Sequence, residues 1–556
     1  MTTAAHTLVQ CLKAHAVQRA FCVPGESYLS VINSLHDEPA IQLITCRHEG
    51  AAGFMALGHA RLTGETGVLF VSRGPGCLNA AIAIHSAQQD ATPLVVFVGQ
   101  AERENLQREA FQEVNYEIMF SQMAKWAVEV HDANRLADTI CTAFHLAHSG
   151  TPGPVVISLP EDMLEDPVRQ NECWPRSQTA SELTDTQAEA VLAAIQQAQR
   201  PLVIAGGLLK SEQGKATLAR FAQHFQLPIA TSVRHADLFD NRDPLFAGHL
   251  VYGLPPELGE AVSQADLVIA LGTRLGDVTS QGFKFPAAPQ PEQPLIHVWP
   301  DEDLVSRYRQ TTHPIAAQPI PVMEKLMRLG EARSNPPKAW MNQLQAALQR
   351  LRHWEPQPDE SDGIVFGNIV HQANQLLPDD AIICLDAGNF GGWVQRYFDF
   401  GPRRALIGPS SGAMGYGTPA AVASALAQPD RCVVGFVGDG GFAMTGNDLA
   451  TAAQYGARLI LIISDNRSYG TIRMHQELHY PGRNYSTDLN NPDFVGMARA
   501  LGAQAHDIQR SSDFQPALQQ ALKHDGLSVL VVRTALNPIS PNATIEALRQ
   551  RQGVRS

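Results

Sequence analysis

A glycine turn in the stretch VVGFVGDGGFAMTG (433–446) carries a single acid, Asp439. Glycine turns that close a strand and open a helix hold phosphate, because the helix N-terminus attracts anions and a missing Cβ lets them approach. Read as a pattern, GDGGFA (438–443) fits the dinucleotide fingerprint G-x-G-x-x-A, with Asp465 available for a ribose. The carboxylate argues against that reading, since beside a diphosphate it repels by as much as several kcal/mol, depending on the local dielectric. The conflict disappears if Asp439 holds a divalent cation and the cation holds the diphosphate. Mg2+ takes hard oxygen ligands and keeps few of them from the protein. A right-handed crossover brings the C-terminal ends of neighbouring parallel strands to one sheet edge. The apolar run 458–464 ends at SDNRSYG, so Asn466 is expected beside Asp439. Asp439, the Asn466 amide oxygen and a main-chain carbonyl near Ser468 then form the expected Mg2+ site. Taken singly, Asp439 as a helix cap and Asn466 as a turn residue stay open.

The elements that must position these residues repeat along the whole chain. Apolar runs at 67–71, 93–99, 153–159, 201–207, 266–272, 381–385, 459–464 and 528–532 alternate with helix-like segments. Runs apolar on both faces predict parallel strands covered by helices on both sides. Two polar, proline-containing stretches, 165–185 and roughly 331–362, interrupt the rhythm. The expected fold is therefore α/β, with three doubly wound parallel-sheet domains at 1–165, 186–332 and 360–545. Residues 74–99 and 438–464 share the order glycine turn, alanine-rich helix, apolar strand. That likeness hints at a duplicated pair of units around an unlike central one.

Bulk composition narrows the function. The chain of 556 residues is 44% hydrophobic and 17% charged, with a net charge of -13. An acidic balance argues against a nucleic-acid surface. No apolar run approaches the roughly 20 residues of a membrane span, and no signal-peptide pattern opens the chain. Its eight cysteines are scattered with no CxxC pair, and read as reduced core or neutral positions rather than a disulfide frame or a zinc site. A cytoplasmic, multidomain protein is expected.

GDG followed after a spacer by N-x-S-Y-G resembles the cofactor motif of thiamine-diphosphate enzymes. EAFQE (109–113), GAMGYGTPAA (412–421) and YSTDLNNPDF (485–494) are similar to segments of the acetolactate synthase branch of that family. The resemblance covers nearly the whole chain, in the order pyrimidine-binding, central and diphosphate-binding domains. It implies thiamine diphosphate and Mg2+ as cofactors, with Asp439, Asn466 and the Ser468 carbonyl as metal ligands. Gly440 and Gly441 would lie near the diphosphate, and Gly438, Tyr469, Gly470 and Asn389 would complete the cofactor contacts.

Thiamine chemistry needs a proton removed from the thiazolium C2, which the cofactor's own aminopyrimidine does as its imino tautomer. A carboxylic acid bonded to the ring nitrogen favours that tautomer. Glu49, after the run 41–46 and at the start of an Ala/Gly-rich helix, is the expected activator; a first-turn Glu favoured by the helix dipole is the plain alternative. RHEGAAGFMA (47–56) is similar to the family's activator segment. By the same likeness Met414 would hold the cofactor bent and the Gly412 carbonyl would accept from its amino group, with core filler the other reading of Met414. Since Glu49 and Asp439 lie in different units, and similar enzymes join them across chains, a homodimer or homotetramer is implied.

Around the substrate the sequence is mixed. Phe111, Gln112 and Lys125 match the synthase pattern. Glu26 in VPGESY (23–28) departs from it, and reads as a proton relay, a contact for a polar substrate tail or an exposed loop acid. GNF (388–390) stands where the synthase has GQH, so Asn389 could replace one hydrogen bond and Phe390 none. His475 aligns with a synthase tryptophan, and faces the substrate or simply the surface. FAD, held by many synthases in the central unit, stays open, because GTRLGDVTSQGF (272–283) has no phosphate-binding glycine pattern. The expected reaction is decarboxylation or cleavage of a small 2-oxo acid and transfer of the acyl unit to a carbonyl acceptor. Release of an aldehyde without ligation is the second reading.

Overall fold

The structure, a computed structural model, describes residues 2–169, 173–176, 181–333 and 336–551. Eighteen strands form three six-stranded sheets in which every pairing is parallel. The first unit holds β1 (Arg19–Cys22), β2 (Gln42–Thr45), β3 (Gly67–Val71), β4 (Leu94–Gln100), β5 (Trp126–Glu129) and β6 (Pro154–Pro160), in the spatial order β2-β1-β3-β4-β6-β5. The central unit holds β7 (Pro201–Ala205), β8 (Ile229–Thr231), β9 (Phe246–His249), β10 (Leu267–Leu271), β11 (Leu295–Val298) and β12 (His313–Ile315), in the order β9-β8-β7-β10-β11-β12. In the third are β13 (Ile382–Leu385), β14 (Ala405–Ile407), β15 (Val433–Gly438), β16 (Leu459–Asp465), β17 (Gln504–Ile508) and β18 (Leu527–Arg533), ordered β14-β13-β15-β16-β18-β17.

The outer two units share one topology, in which the first strand is flanked by the second and third. The central unit instead winds outward in both directions from β7 and β10. All eight apolar runs read from the sequence are strands, and β3, β4, β6, β7, β10 and β13 are buried along their full length. Helices on both faces exclude water from them, which is why these strands show no alternation.

One junction differs from the sequence reading. Helix Lys338–Arg352 falls in the stretch expected to be a linker, yet Trp340, Leu344, Leu348 and Leu351 pack into the central core. The central unit thus runs on to Arg352. Parts of both expected linkers (170–172, 177–180 and 334–335) lie outside the described residues.

The first and third units share a core. Helix Glu49–Thr63 crosses helix Gly417–Ala427 so closely that a Cβ at Gly58 would come within 3.0 Å of the Ala420 Cα. Only a residue without a side chain permits that approach. Around it, Phe54, Leu57, Ala420 and Ala421 belong to one continuous apolar cluster.

Near the end of the described chain, helix Ile545–Arg551 is tied down by one acid. The side chain of Glu477 is fully buried, bonded by Arg549 (2.7 Å), Arg473 (3.0 Å) and the Gly482 N–H (2.9 Å). The bond from Arg549, first of all, holds its carboxyl down at about 2. A folded-state value below the unfolded one contributes stability above pH ~4.5 that is lost as the pH falls toward 2. Amides of helix Ile545–Arg551 should therefore lose hydrogen-exchange protection across that window before the sheets unfold, whereas a Glu477→Gln variant should show low protection there at neutral pH.

Candidate active site

In an open α/β sheet, ligands bind beyond the carboxyl ends of the strands, at the switch point. In the third unit that point lies between β13 and β15, and four segments meet there: 386–390, 412–416, 438–441 and 466–470.

Asp439 follows β15 directly and opens helix Asp439–Thr445. Its carboxyl is 4% exposed and is pushed up to about 6, by burial first and by the neighbouring Asp465 carboxylate. Hydrogen bonds from the Asn491 amide and the Gly440 N–H offset part of this. The Asn491 Nδ2 lies 2.8 Å from both Asp439 Oδ2 and Asp465 Oδ1. Two carboxylates thus share one donor, which shows where positive charge is wanted. The ribose role considered for Asp465 does not fit, because that carboxylate turns to the same amide as Asp439.

The loop after β16 carries Asn466, whose Oδ1 accepts from the Ser468 N–H at 3.0 Å, leaving the amide oxygen a second lone pair. Ser468 is held from the other side, its hydroxyl donating to the Thr487 carbonyl at 3.0 Å. Tyr469 N–H reaches the same carbonyl at 2.8 Å. The segment 485–491 is therefore a strap that fixes the loop 466–469 and brings Asn491 over Asp439. An oxygen-only donor set with one raised, partly compensated carboxylate fits a hard divalent cation.

Gly440 is the crowded centre. A Cβ there would lie 2.8 Å from the Tyr469 ring and 3.2 Å from Met414 Cε, so residues from two separate segments close over it. At Gly441 a Cβ would meet Asp386 Oδ2 at 2.5 Å. Both glycines are therefore required by close approach. Gly412 lies exposed in the loop after β14, with φ +71° and open space around it. Asn389 bridges to the segment after β16, donating to the Gly470 carbonyl (3.3 Å) and accepting from the Thr471 hydroxyl (3.0 Å). Phe390 packs its ring against Gly388 and Gly438 rather than offering a polar contact.

Asp386 was not singled out from the sequence, although it follows β13 as Asp439 follows β15. It is fully buried, and burial pushes its carboxyl up to about 6. It accepts the N–H groups of Ala387 (2.7 Å), Gly415 (3.2 Å) and Tyr416 (3.3 Å), fixing the loop that carries Met414. An acid directly after a buried strand was the available signal. Asn491 was missed as well, inside a motif that had been noted.

The first unit gathers a second group at its own strand ends. Glu49 opens helix Glu49–Thr63, with His48 as N-cap accepting from the Gly50 N–H. Its Oε2 accepts from Asn79 Nδ2 at 2.9 Å, and its Oε1 lies 3.3 Å from where a Cβ of Gly76 would stand. The carboxylate thus faces the N-terminal turn of helix Gly74–Asp90, a favourable place for negative charge. Buried Tyr28 beside it has its hydroxyl pKa raised by burial, with smaller contributions from Cys22 and Glu49. Glu26 is exposed in the turn Glu26–Tyr28 after β1. The Gln112 carbonyl accepts the Gly74 N–H at 3.0 Å, and the Phe111 side chain is 71% exposed.

Lys125 requires correction. It immediately precedes β5, and its backbone N–H bonds the Pro154 carbonyl at the start of β6. That is the N-terminal edge of the sheet, opposite to Glu49. Its ammonium donates to the Ser149 carbonyl, and burial lowers its pKa to about 8. Lys125 faces away from the site. His475 is exposed on helix Gly470–His479, stacked on His479 with centroids 6.3 Å apart.

Among the described residues no hydrogen bond or ion pair joins Glu26, Glu49, Phe111 or Gln112 to the third-unit group. The chain beside Glu49 instead docks behind Asp439's helix, through Arg47 N–H to Asp448 (3.0 Å) and Thr45 N–H to Tyr455 (2.8 Å).

Family models for thiamine pyrophosphate enzymes match all three units: the N-terminal TPP binding domain over residues 2–119, the central domain over 188–326 and the C-terminal TPP binding domain over 386–532. The acetolactate synthase large subunit of Parasynechococcus marenigrum is 31% identical over 518 residues, covering 91% of this chain and 83% of that protein. This chain belongs to the thiamine-diphosphate-dependent enzymes. Within the family it falls in the acetolactate synthase-like branch. The acetolactate synthase of Arthrospira platensis is 30% identical, covering 96% of this chain and 94% of its own. The fold also matches a solved thiamine diphosphate-dependent 4-hydroxybenzoylformate decarboxylase of Rhodococcus jostii RHA1, with a TM-score of 0.82 and 24% identity over 96% of this chain and 99% of that one. No helix among the described residues is long and apolar enough to cross a membrane.

Proposed function

We propose that this thiamine-diphosphate enzyme uses Mg2+ and joins two small molecules: it decarboxylates or cleaves a 2-oxo acid and transfers the acyl unit to a carbonyl acceptor, in the manner of an acetolactate synthase. The observation that carries this reading is the convergence of Asp439, the Asn466–Tyr469 loop and Met414 around Gly440. Bound thiamine diphosphate would supply the electron sink for breaking and making the carbon–carbon bond. Asp439, the Asn466 amide oxygen and the Ser468 carbonyl hold the cation; the backbone at Gly438, Gly440 and Gly441, with Tyr469, Gly470 and Asn389, lines the diphosphate cradle. Met414 would buttress the ring system, and the Gly412 carbonyl would accept a hydrogen bond from its amino group. Glu49 holds a proton at the pyrimidine nitrogen. Phe111, Gln112 and His475 border the substrate.

FAD is not built into this reading. In the central unit the glycine turns after β7 and β10 close on each other: a Cβ at Gly206 would lie 2.5 Å from the Gly272 carbonyl oxygen, and the His235 ring covers Gly207. The eight free cysteines suit a reducing, cytoplasmic setting.

A second copy of the chain completes the site. Both half-sites are rimmed by exposed apolar side chains: Leu78 (53%), Ile82 (43%) and Phe111 in the first unit, Met444 (49%), Ile472 (55%) and Tyr485 (83%) in the third. A monomer does not leave so many large apolar groups open around a charged cleft without a partner to cover them. Co-expression of Glu49→Gln with Asp439→Ala should restore roughly a quarter of wild-type activity, because half the dimers are mixed and each mixed dimer has one intact site. Restoration near zero would place Glu49 and Asp439 of one site on one chain.

Exposed Glu26, on the same edge as Glu49, supports a second reading in which a proton from it ends the reaction and an aldehyde leaves. The purified enzyme supplied with Mg2+, thiamine diphosphate and pyruvate or other simple 2-oxo acids distinguishes the two by product. Aldehyde alone rejects ligation; a hydroxy-keto product supports it.

A further inference from the structure

The cysteines show no pairing pattern in the sequence, yet three of them meet in space beside a histidine. Cys11 lies on helix Ala4–Ala14 and His15 caps its C-terminus. Cys141 comes from helix Leu136–His148, and Cys173 from the segment that leaves the first unit toward the central one. The ligand atoms of His15, Cys141 and Cys173 lie within 4.8 Å of one another. The Cys11 thiol is a further neighbour of Cys173. Cys11 and Cys141 are buried, and Cys173 is half-buried.

The histidine lies against Cys173 with one ring nitrogen engaged. Its ring stacks on Phe144 with centroids 4.2 Å apart. Nδ1 lies 2.8 Å from the Cys11 carbonyl, so it donates there, and it lies 3.9 Å from Cys173 Sγ. Nε2 is buried and has no hydrogen-bond partner among the described residues. A ring that gives one N–H to a backbone carbonyl and keeps the other nitrogen's lone pair unspent is the usual state of a metal-binding imidazole.

We propose that Cys11, His15, Cys141 and Cys173 form a structural site for a soft divalent cation of the Zn2+ class. Three thiolates and one imidazole are a closed tetrahedral set, with no position left for substrate. Each thiol gives its proton to solvent as it binds, and no oxidant is needed. The donors are sulfur and nitrogen only, so the site is chemically distinct from the oxygen set at Asp439 and ignores Mg2+. Its place is distinct too: the helices carrying Cys11 and Cys141 cover the outer face of the first sheet, opposite the helices shared with the third unit. The cation pins the segment at Cys173 to that layer and fixes where the chain departs for the central unit. This inference is independent of which reaction the enzyme catalyses.

Co2+ is the probe, because thiolate ligation gives it a charge-transfer band and tetrahedral geometry gives it intense visible bands. The reduced full-length protein, stripped with a chelator and kept in excess Mg2+, is titrated with Co2+ and then with Zn2+. One Co2+ per chain with both signatures, displaced by Zn2+, is the expected result. Cys173→Ser, at a half-buried position that leaves the core intact, should weaken Zn2+ binding at least about tenfold. Cys432→Ser, in the third unit, should bind as the wild type does. A wild-type spectrum without the thiolate band overturns the proposal, as does equal binding by Cys173→Ser. A disulfide among these cysteines under the same reducing conditions overturns it as well.

Discussion

Glu49→Gln should fold, retain thiamine diphosphate and Mg2+, and lose C2 proton exchange by roughly 10²–10⁴-fold, the usual contribution of a positioned acid–base group. The reasoning starts from where the carboxyl stands. Among the described residues Glu49 is anchored by Asn79 and by its position at the N-terminal turn of helix Gly74–Asp90, so a glutamine of the same size keeps the helix start and the contact to Asn79. What it cannot do is share a proton with a ring nitrogen. The proposed cation and diphosphate contacts lie in the third unit and are untouched, so cofactor affinity should change little. Exchange of the C2 proton, followed by NMR after rapid quench in deuterated buffer, reads the chemical step without any substrate. Near-normal exchange removes Glu49 from the mechanism. A large loss of cofactor affinity would make it a binding residue instead.

The strands of this protein are legible in the sequence where they are buried on both faces. Two of the edge strands are not. Trp126–Glu129 is half-buried throughout, and Gln504–Ile508 reads QAHDI, so neither shows an apolar run. Missing the first of these is what misplaced Lys125: only a strand starting at residue 126 reveals that the lysine sits at the wrong end of the sheet. Helix Lys338–Arg352 carries Trp340, Leu344, Ala347, Leu348 and Leu351 at helical spacing, but flanking prolines made the stretch read as a linker. Asp439 and Asn466 could be paired from topology alone, because parallel crossovers fix which strand ends are neighbours. Asp386 and Asn491 escaped because their roles depend on contacts between segments far apart in sequence. The cysteine cluster escaped for the same reason: positions 11, 141 and 173 have no local spacing, and only the packing of two outer helices brings them together.

Asp439→Ala should weaken Mg2+ and thiamine diphosphate together, each on the order of a hundredfold or more, while leaving the fold intact. In the wild type the buried carboxyl of Asp439 and the partly buried one of Asp465 face one amide, that of Asn491, and the field of the second acid helps to hold Asp439 up near 6. An arrangement that raises a carboxyl in this way is costly without a cation, so the alanine variant relieves repulsion and its melting temperature without ligands should not fall. Added Mg2+ and thiamine diphosphate stabilise the wild type by mass action, and that shift should largely vanish in the variant. The coupling is the decisive part. The turn itself offers the diphosphate N–H groups at Gly440 and Gly441, so if those alone held it, removing a negative side chain would tighten diphosphate binding. If the cation bridges the two, removing the carboxylate loosens both. Isothermal titration of each ligand in the presence and absence of the other separates these outcomes by sign: tighter diphosphate binding in Asp439→Ala would reject the bridge, and a joint loss with no remaining Mg2+ dependence supports it.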